Sequence, residues 1–359
     1  MLDTSHIAYA KTHYGRVRFD LADSAVPPAP LDALGLPSAA KIPKDGPGLL
    51  RRLEKALGKR VGAPGDRVVL VAGASEANAA VFAALVGPGD EVLVESPGYE
   101  PHRLAPGLFK APLRFFARRR ENAYRVEPSE IAASLTDRTR LVVITDLHNP
   151  SGQALSPEEA AAIGGLAERR GFHVLVDEAY RDADASRAIG AATAYGPRFV
   201  STSSLTKSYG LGGLRIGWVA AGKEVLARVE RAHNSLSSQV SILSAALAME
   251  LVPHLDRLRA AGHEALAKNH AAFAAFTAER PELAPVAPPR GTTAFSFLGP
   301  DGRGDRFAET CLDRYDVLLT PGRFFGEPGG LRFSIGGEPG EVAEALKVVG
   351  TAWRTFSAS

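Results

Sequence analysis

Lys207 stands in the run Ser203-Ser204-Leu205-Thr206-Lys207-Ser208-Tyr209-Gly210-Leu211-Gly212-Gly213-Leu214-Arg215. A lysine that does covalent chemistry needs a fixed backbone, neighbours that lower its pKa and an electrophile to attack. Here a short apolar run ends in hydroxyls, and Arg215 follows across a glycine-rich bend. Ser204, Thr206 and Arg215 are suited to binding an anion, so a phosphorylated aldehyde is the cofactor these residues would serve. The plain alternative is a solvated lysine at a strand end, the commonest setting for that residue.

Other residues could share a site with it. Asp177 closes the run Val174-Leu175-Val176-Asp177, and an acid at the end of a buried strand is costly unless paired. A protonated pyridine nitrogen would be a partner for Asp177, and Tyr180 could donate to an oxygen on the same ring. Metal binding is the competing use, but no histidine pair or second clustered acid accompanies Asp177. Val71-Ala72-Gly73-Ala74-Ser75-Glu76-Ala77 reads as strand, glycine turn and helix start. Such a start offers free N–H groups to a phosphate, or is a routine strand–helix turn. Tyr99, after Pro97-Gly98, could stack on an aromatic ring or simply pack in its turn. Asn149 precedes proline and is held extended; it aims its amide at a ligand or opens a turn before Ser156. Arg332, in Gly330-Leu331-Arg332-Phe333-Ser334, is either a bidentate carboxylate clamp or a surface residue.

These residues must be positioned by something, and the pattern around them is regular. Short apolar runs at 68–71, 91–95, 140–145, 172–177, 199–202 and 216–220 read as strands. Helical stretches at 48–57, 75–86 and 157–170 accompany them, the last behind the N-cap Ser156. Buried runs alternating with helices predict an α/β domain with a largely parallel sheet, in which ligands bind at the carboxyl ends of the strands. Beyond Gly222 the chain reads as helical to about residue 249, then over 253–279. Strands at 293–298, 317–320 and 331–335, with helices at 306–315 and from 341, predict a smaller α+β domain. Residues 1–45 show little periodicity. Val26-Pro27-Pro28-Ala29-Pro30 reads as an extended arm lying on its own body or on a partner.

Composition narrows the class. The 359 residues suffice for two domains, and 45% hydrophobic with 23% charged residues matches a globular protein. A net charge of +2 implies neither a nucleic-acid nor a membrane partner. Arg118-Arg119-Arg120 reads as a solvated basic loop. The single cysteine, Cys311, leaves no intrachain disulfide or cysteine metal site. With no signal pattern and no membrane-length apolar run, the expectation is a cytoplasmic enzyme.

Taken together and in order, these segments resemble the class I/II aminotransferases, fold-type-I enzymes that use pyridoxal 5′-phosphate (PLP). The most specific part is Ser204-Leu205-Thr206-Lys207 with Arg215 eight residues on, behind Asp177-Glu178-Ala179-Tyr180. The resemblance implies a large, mostly parallel-sheet α/β/α domain over 46–250 and a smaller α+β domain from 1–45 plus 251–359. It implies that Lys207 would form the aldimine with PLP and carry the proton between substrate Cα and cofactor. Ser204 and Arg215, with the N–H groups of Ala74 and Ser75, would bind the phosphate. Tyr99 would stack on the ring, Asn149 and Tyr180 would hydrogen-bond its phenolic oxygen, and Asp177 would pair with its nitrogen. Arg332 would grip the substrate carboxylate, with Asn149 and Ser24 lining the same site.

The implied reaction moves an amino group from an L-amino acid to a 2-oxo acid in a homodimer. Alternatives on the same scaffold are a β-lyase, decarboxylase or cyclase, a histidinol-phosphate-type aminotransferase, or a non-catalytic PLP-sensing protein. Three departures stand out. Lys41 or its neighbourhood replaces a tyrosine that often reaches the partner's phosphate, Thr206 replaces a serine, and the segment around Ser24 lacks the usual Gly-Glu-Pro-like sequence.

Overall fold

The computed structural model describes residues 5–29 and 45–358; Lys41 lies outside them. The chain opens with α1 (Ser5–His13) and β1 (Phe19–Asp20), then α2 (Gly46–Arg60). Next come β2 (Val69–Val71), α3 (Ala74–Leu85), β3 (Glu91–Ser96), α4 (Glu100–Leu108), β4 (Leu113–Ala117), α5 (Pro128–Ser134) and β5 (Thr139–Thr145). They are followed by α6 (Pro157–Arg170), β6 (His173–Asp177), β7 (Phe199–Ser204) and β8 (Gly217–Ala220). These strands form a seven-stranded sheet in the order β2-β8-β7-β6-β5-β3-β4. Strands β3 to β7 pair in parallel, and β8 runs antiparallel to both neighbours, β7 and β2.

Alternation along the strands explains why both faces are covered. Val92 and Val94, Leu141 and Val143, and Leu175 pack on one side, with Ala77, Ala80 and Val81 of α3. Leu93, Val142, Ile144, Val174 and Val176 pack on the other, with Ile163 and Ala167 of α6. Period-two burial on two apolar faces makes a three-layer sandwich. Helix α6 is fixed at both ends, by a Ser156/Glu159 capping box and by Gly171 in the left-handed conformation.

The rest of the chain is α7 (Lys223–Leu236), α8 (Ile242–Leu251), α9 (Leu255–Ala278), β9 (Thr293–Phe297) and α10 (Arg303–Tyr315). It ends with β10 (Val317–Leu318), β11 (Thr320–Pro321), β12 (Gly330–Ser334) and α11 (Pro339–Ser357). Strands β11, β12 and β9 form an antiparallel sheet, and β1 pairs in parallel with β10. A second core of Phe273, Phe276, Phe307, Phe333 and Trp353 fills this part. Helix α9 contributes Leu255 and Leu258 to the core beside the large sheet and Phe273 and Phe276 to the second core.

Several expectations change. The helix expected from 222 to 249 is two helices, interrupted where Ser238 takes a positive φ of 66° and Ser241 caps α8. Residues 5–13 are helical rather than part of an aperiodic arm. The described part of the arm lies on its own chain, with Val26 N donating to Lys207 O (2.9 Å) and Ala29 N to Gly210 O (3.1 Å). Arg118 is not solvated: it is 2% exposed and pairs with the equally buried Glu95 at 2.9 Å. Glu95 also accepts from Thr145 N (2.9 Å), so the pair fastens β3 to the end of β5. Among the described residues no helix is long and apolar enough to cross a membrane.

Candidate active site

The carboxyl ends of β2, β3, β5, β6 and β7 open on one cavity of about 180 Å³. Lys207, Asp177, Tyr180, Ala74, Ser75, Tyr99, Asn149, Ser204 and Arg215 all line it, as does Thr206. Arg332 and Ser24 stand next to it, hydrogen-bonded to two of its walls. Strand β6 delivers Asp177 and β7 delivers Ser204, both through the register that places Asp177 beside Thr145 and Thr202.

Asp177 is 3% exposed and fully supported. Its Oδ2 accepts from Asn78 Nδ2 (2.7 Å) and from His102 Nε2 (3.1 Å), and its Oδ1 from Ala179 N (3.1 Å). Thr202 donates to Asn78 Oδ1 (2.6 Å), which turns the amide nitrogen toward the acid. Asn78 and His102 escaped the sequence reading. Asn78 had a signal, a polar side chain in the otherwise apolar run Ala77 to Leu85; His102, on a short helix with Pro101 and Pro106, had none.

At the opposite end, Gly73 leaves β2 with a φ of 92° and stands before α3 without any side-chain cap, so the first N–H groups of α3 face the cavity. Arg215, itself at a φ of 53°, donates through Nη2 to Ala72 O (3.0 Å). A Cβ on Gly73 would lie 2.3 Å from that Nη2, so only glycine lets the guanidinium approach. This cationic, N–H-lined recess fits a phosphate.

Lys207 Nζ donates to Asp23 Oδ1 (3.3 Å), and its side chain is 25% exposed. Burial pulls its ammonium down, but the Tyr180 hydroxyl, Asp23 and Tyr14 more than offset this and leave its pKa raised. The sequence reading asked for the reverse; the Tyr180 hydroxyl first, and then Asp23 and Tyr14 of the N-terminal segment, account for the difference. Tyr180 shares a hydrogen bond with Ser24 Oγ (2.7 Å). Tyr99 is half-buried, its phenol held above its ordinary pKa by burial. His148, buried beneath Asn149, is held neutral well below its usual range by burial and Arg118, and its Nε2 contacts Pro97 O (2.9 Å).

Arg332 is 2% exposed. Its Nη1 donates to Asn149 Oδ1 (2.9 Å), and its Nη2 to Ala22 O (2.7 Å) and Thr320 Oγ1 (3.1 Å). Nε is buried without a partner. A buried guanidinium with an unspent donor is costly unless an anion completes it, which suits a carboxylate ligand. No group of His, Cys, Asp and Glu among the described residues is placed to hold a metal ion.

A three-layer α/β fold with a lysine, a buried aspartate and an arginine at its strand ends matches the layout that the sequence resemblance implied. The sequence profile of the family "Aminotransferase class I and II" matches residues 46–349, and the chain belongs to that family. It is similar to the capreomycidine synthase of Streptomyces vinaceus, at 32% identity over 85% of this chain and 80% of that protein. It is also similar to the arginine–pyruvate transaminase AruH of Pseudomonas aeruginosa, at 30% identity over 73% of this chain and 67% of that one. The fold matches a solved PLP-dependent aminotransferase from Streptococcus suis with a TM-score of 0.90 at 20% identity, covering 99% and 98% of the two chains. A solved PLP-dependent cyclase, OrfR, matches with a TM-score of 0.83 at 26% identity, covering 99% and 96%.

Proposed function

We propose that the protein is a PLP-dependent aminotransferase that moves the amino group of an L-amino acid to a 2-oxo acid. The observation that carries this reading is one cavity lined by Lys207, Asp177 and Arg215, with the buried Arg332 joined to its wall through Asn149. When bound, the cofactor supplies a ring that draws off the negative charge developing at the substrate Cα.

The chain's own residues do the rest. Lys207 Nζ would hold the cofactor aldehyde and, once freed as the amine, would accept the proton from the substrate Cα. Asp177, held in place by Asn78, His102 and Ala179 with acceptor capacity left on Oδ1, would pair with the ring nitrogen and keep it protonated. Arg215, Ser204 and the N–H groups of Ala74 and Ser75 hold the phosphate, and Tyr99 covers one face of the ring. Asn149 and Tyr180 take the ring oxygen. Arg332, with Asn149 and Ser24 beside it, fixes the substrate carboxylate and so the direction of the Cα–H bond. In this division of labour residues 46–250 bind the cofactor and supply Asn149 to the substrate, while 1–45 and 251–359 bring Ser24 and Arg332. A cytoplasmic homodimer is the assembly we expect.

Purified protein should absorb in the visible, and borohydride should fix the cofactor to Lys207. Undiminished turnover of amino acids by Lys207→Ala would sink the reading. A second reading, cyclisation of an amino acid, draws on the similarity to capreomycidine synthase and to the solved cyclase. Incubation of single amino acids with 2-oxoglutarate or pyruvate separates the two. Transfer yields a new amino acid and a 2-oxo acid, whereas cyclisation consumes the donor without the acceptor.

A further inference from the structure

The N-terminal segment places beside Lys207 an anion that neither the phosphate recess nor the carboxylate clamp uses. Asp23 lies between Ala22, whose carbonyl accepts from Arg332, and Ser24, whose hydroxyl meets Tyr180. The segment is held on both sides. Leu21 N donates to Leu318 O (2.9 Å), and Val26 N to Lys207 O (2.9 Å). A Cβ on Gly336 would come within 2.2 Å of Ala25 O. Asp20 Oδ1 accepts from the N–H groups of Ala22 and Asp23 (2.7 and 2.9 Å) and sets the turn. Asp23 therefore has a fixed backbone and a side chain that is 53% exposed at the site's edge.

Its hydrogen bonds fall on Oδ1, from Ala25 N (3.1 Å) and Lys207 Nζ (3.3 Å). In the function proposed above, Lys207 Nζ is engaged by the cofactor, while Asp23 keeps its place and its charge. Arg332 and Arg215 are then committed to the substrate carboxylate and the phosphate. The adjoining wall is aromatic. His6 packs edge-on against Tyr99 and at a tilt against Phe324 and Phe325. Burial, with Arg332 and Lys207 nearby, lowers its pKa to about 3. Its Nδ1 is buried without a hydrogen-bond partner. A ligand side chain entering beside Lys207 thus meets the half-exposed Asp23 carboxylate at the site's edge, next to aromatic rings.

We propose that Asp23 selects amino acids whose side chain ends in a cationic nitrogen, a guanidinium or an ammonium, and holds that cation curled back toward Cα. The curled pose follows from the carboxylate standing beside the reacting nitrogen, not several bonds away. A side chain ending in a second carboxylate would meet repulsion there. This inference rests on the amino-acid chemistry proposed for the same site.

The test is kcat/KM for consumption of arginine and of citrulline, which replaces the guanidinium by a neutral urea of similar shape. Holoenzyme is used throughout, as wild type, Asp23→Asn and Asp23→Glu. A charge-assisted hydrogen bond predicts that wild type favours arginine by about 10- to 100-fold. Asp23→Asn should collapse that ratio, and Asp23→Glu, which keeps the charge, should retain part of it. Equal rates on the two amino acids in wild type would overturn the proposal. So would an Asn variant that slows both by one factor, since Asp23 would then serve Lys207 alone. The wild-type ratio and the Glu variant decide the matter if the Asn variant fails to bind cofactor. Absence of turnover with every amino acid in the wild type would instead overturn the proposed function, and this inference with it.

Discussion

Asp177 and Arg332 are both charged, both 3% exposed or less, and both at one site, yet they are held in different ways. Asp177 is supported by Asn78, His102, Ala179 and, one step back, Thr202, all carried by the large sheet and its helices. Both its oxygens accept hydrogen bonds. Arg332 draws its partners from Asn149 after β5, Thr320 of β11 and Ala22 of the N-terminal segment, and its Nε is left over. A charge held on both oxygens is a fixture that sets the field at one atom. An unsaturated one assembled from distant segments would, in the role proposed for Arg332, act as a receptor that depends on the segment shaping it.

The largest effect that would test this contrast is on Arg332→Lys. A lysine keeps the charge but loses the fork that reaches Asn149, Thr320 and Ala22 together with a carboxylate. We expect kcat/KM for any amino acid to fall by about 100-fold or more, chiefly through KM, while the visible spectrum of the bound cofactor stays in place. A change in that spectrum as large as the loss in KM would mean the two ends are not separate.

The second effect concerns a buried acid on the opposite side of the same strand end. Glu178 is 2% exposed, accepts from Ala192 N (3.0 Å) and from Ser201, and lies 3.5 Å from Arg181. Burial raises its pKa to about 7, against the pull of Arg181. The folded state therefore binds a proton that the unfolded chain releases near 4.5, and stability falls as pH rises from about 4.5 to 7. The shift amounts to about 3 kcal/mol. Glu178→Gln should remove that slope in urea unfolding midpoints taken across this range; a slope unchanged in the variant would show that another group carries it.

How much of this was legible in the sequence follows from the same contrast. The strand ends were readable because continuous apolar runs such as Leu141-Val142-Val143-Ile144 can only be buried on both faces. The polar residue that ends such a run can mark the site, as Asp177 does after Val174-Leu175-Val176. Strand β4 was not readable, because as an edge strand it exposes Arg114 and Phe115 and shows no clean alternation. Helix α1 was equally hidden, since its apolar and polar residues follow no clear helical stripe. At the site, Lys207, Asp177 and Arg215 sit in local patterns that state their chemistry. Asn78, His102 and Asp23 act through partners about 75 to 184 positions away, and no local spacing encodes such contacts.

The supports of the two ends should differ in the same sense. Asn78→Ala deletes a donor to Asp177 and an acceptor for Thr202, all three groups being buried. Leaving such groups unpaired costs about 1 to 3 kcal/mol, so a loss of roughly 10- to 100-fold in kcat is expected, with a shifted cofactor absorption.

Ser24→Ala removes one hydroxyl from Tyr180. Tyr180 is 9% exposed and lines the cavity with Lys207. One ordinary hydrogen bond is worth about 1 kcal/mol, so a fall of about fivefold is expected, appearing in KM rather than in the spectrum. If Ser24→Ala instead shifted the absorption as far as Asn78→Ala does, the N-terminal segment would be tuning the cofactor as well as the substrate. The division between fixture and receptor would then fail at Tyr180, the residue where the two ends of the site meet.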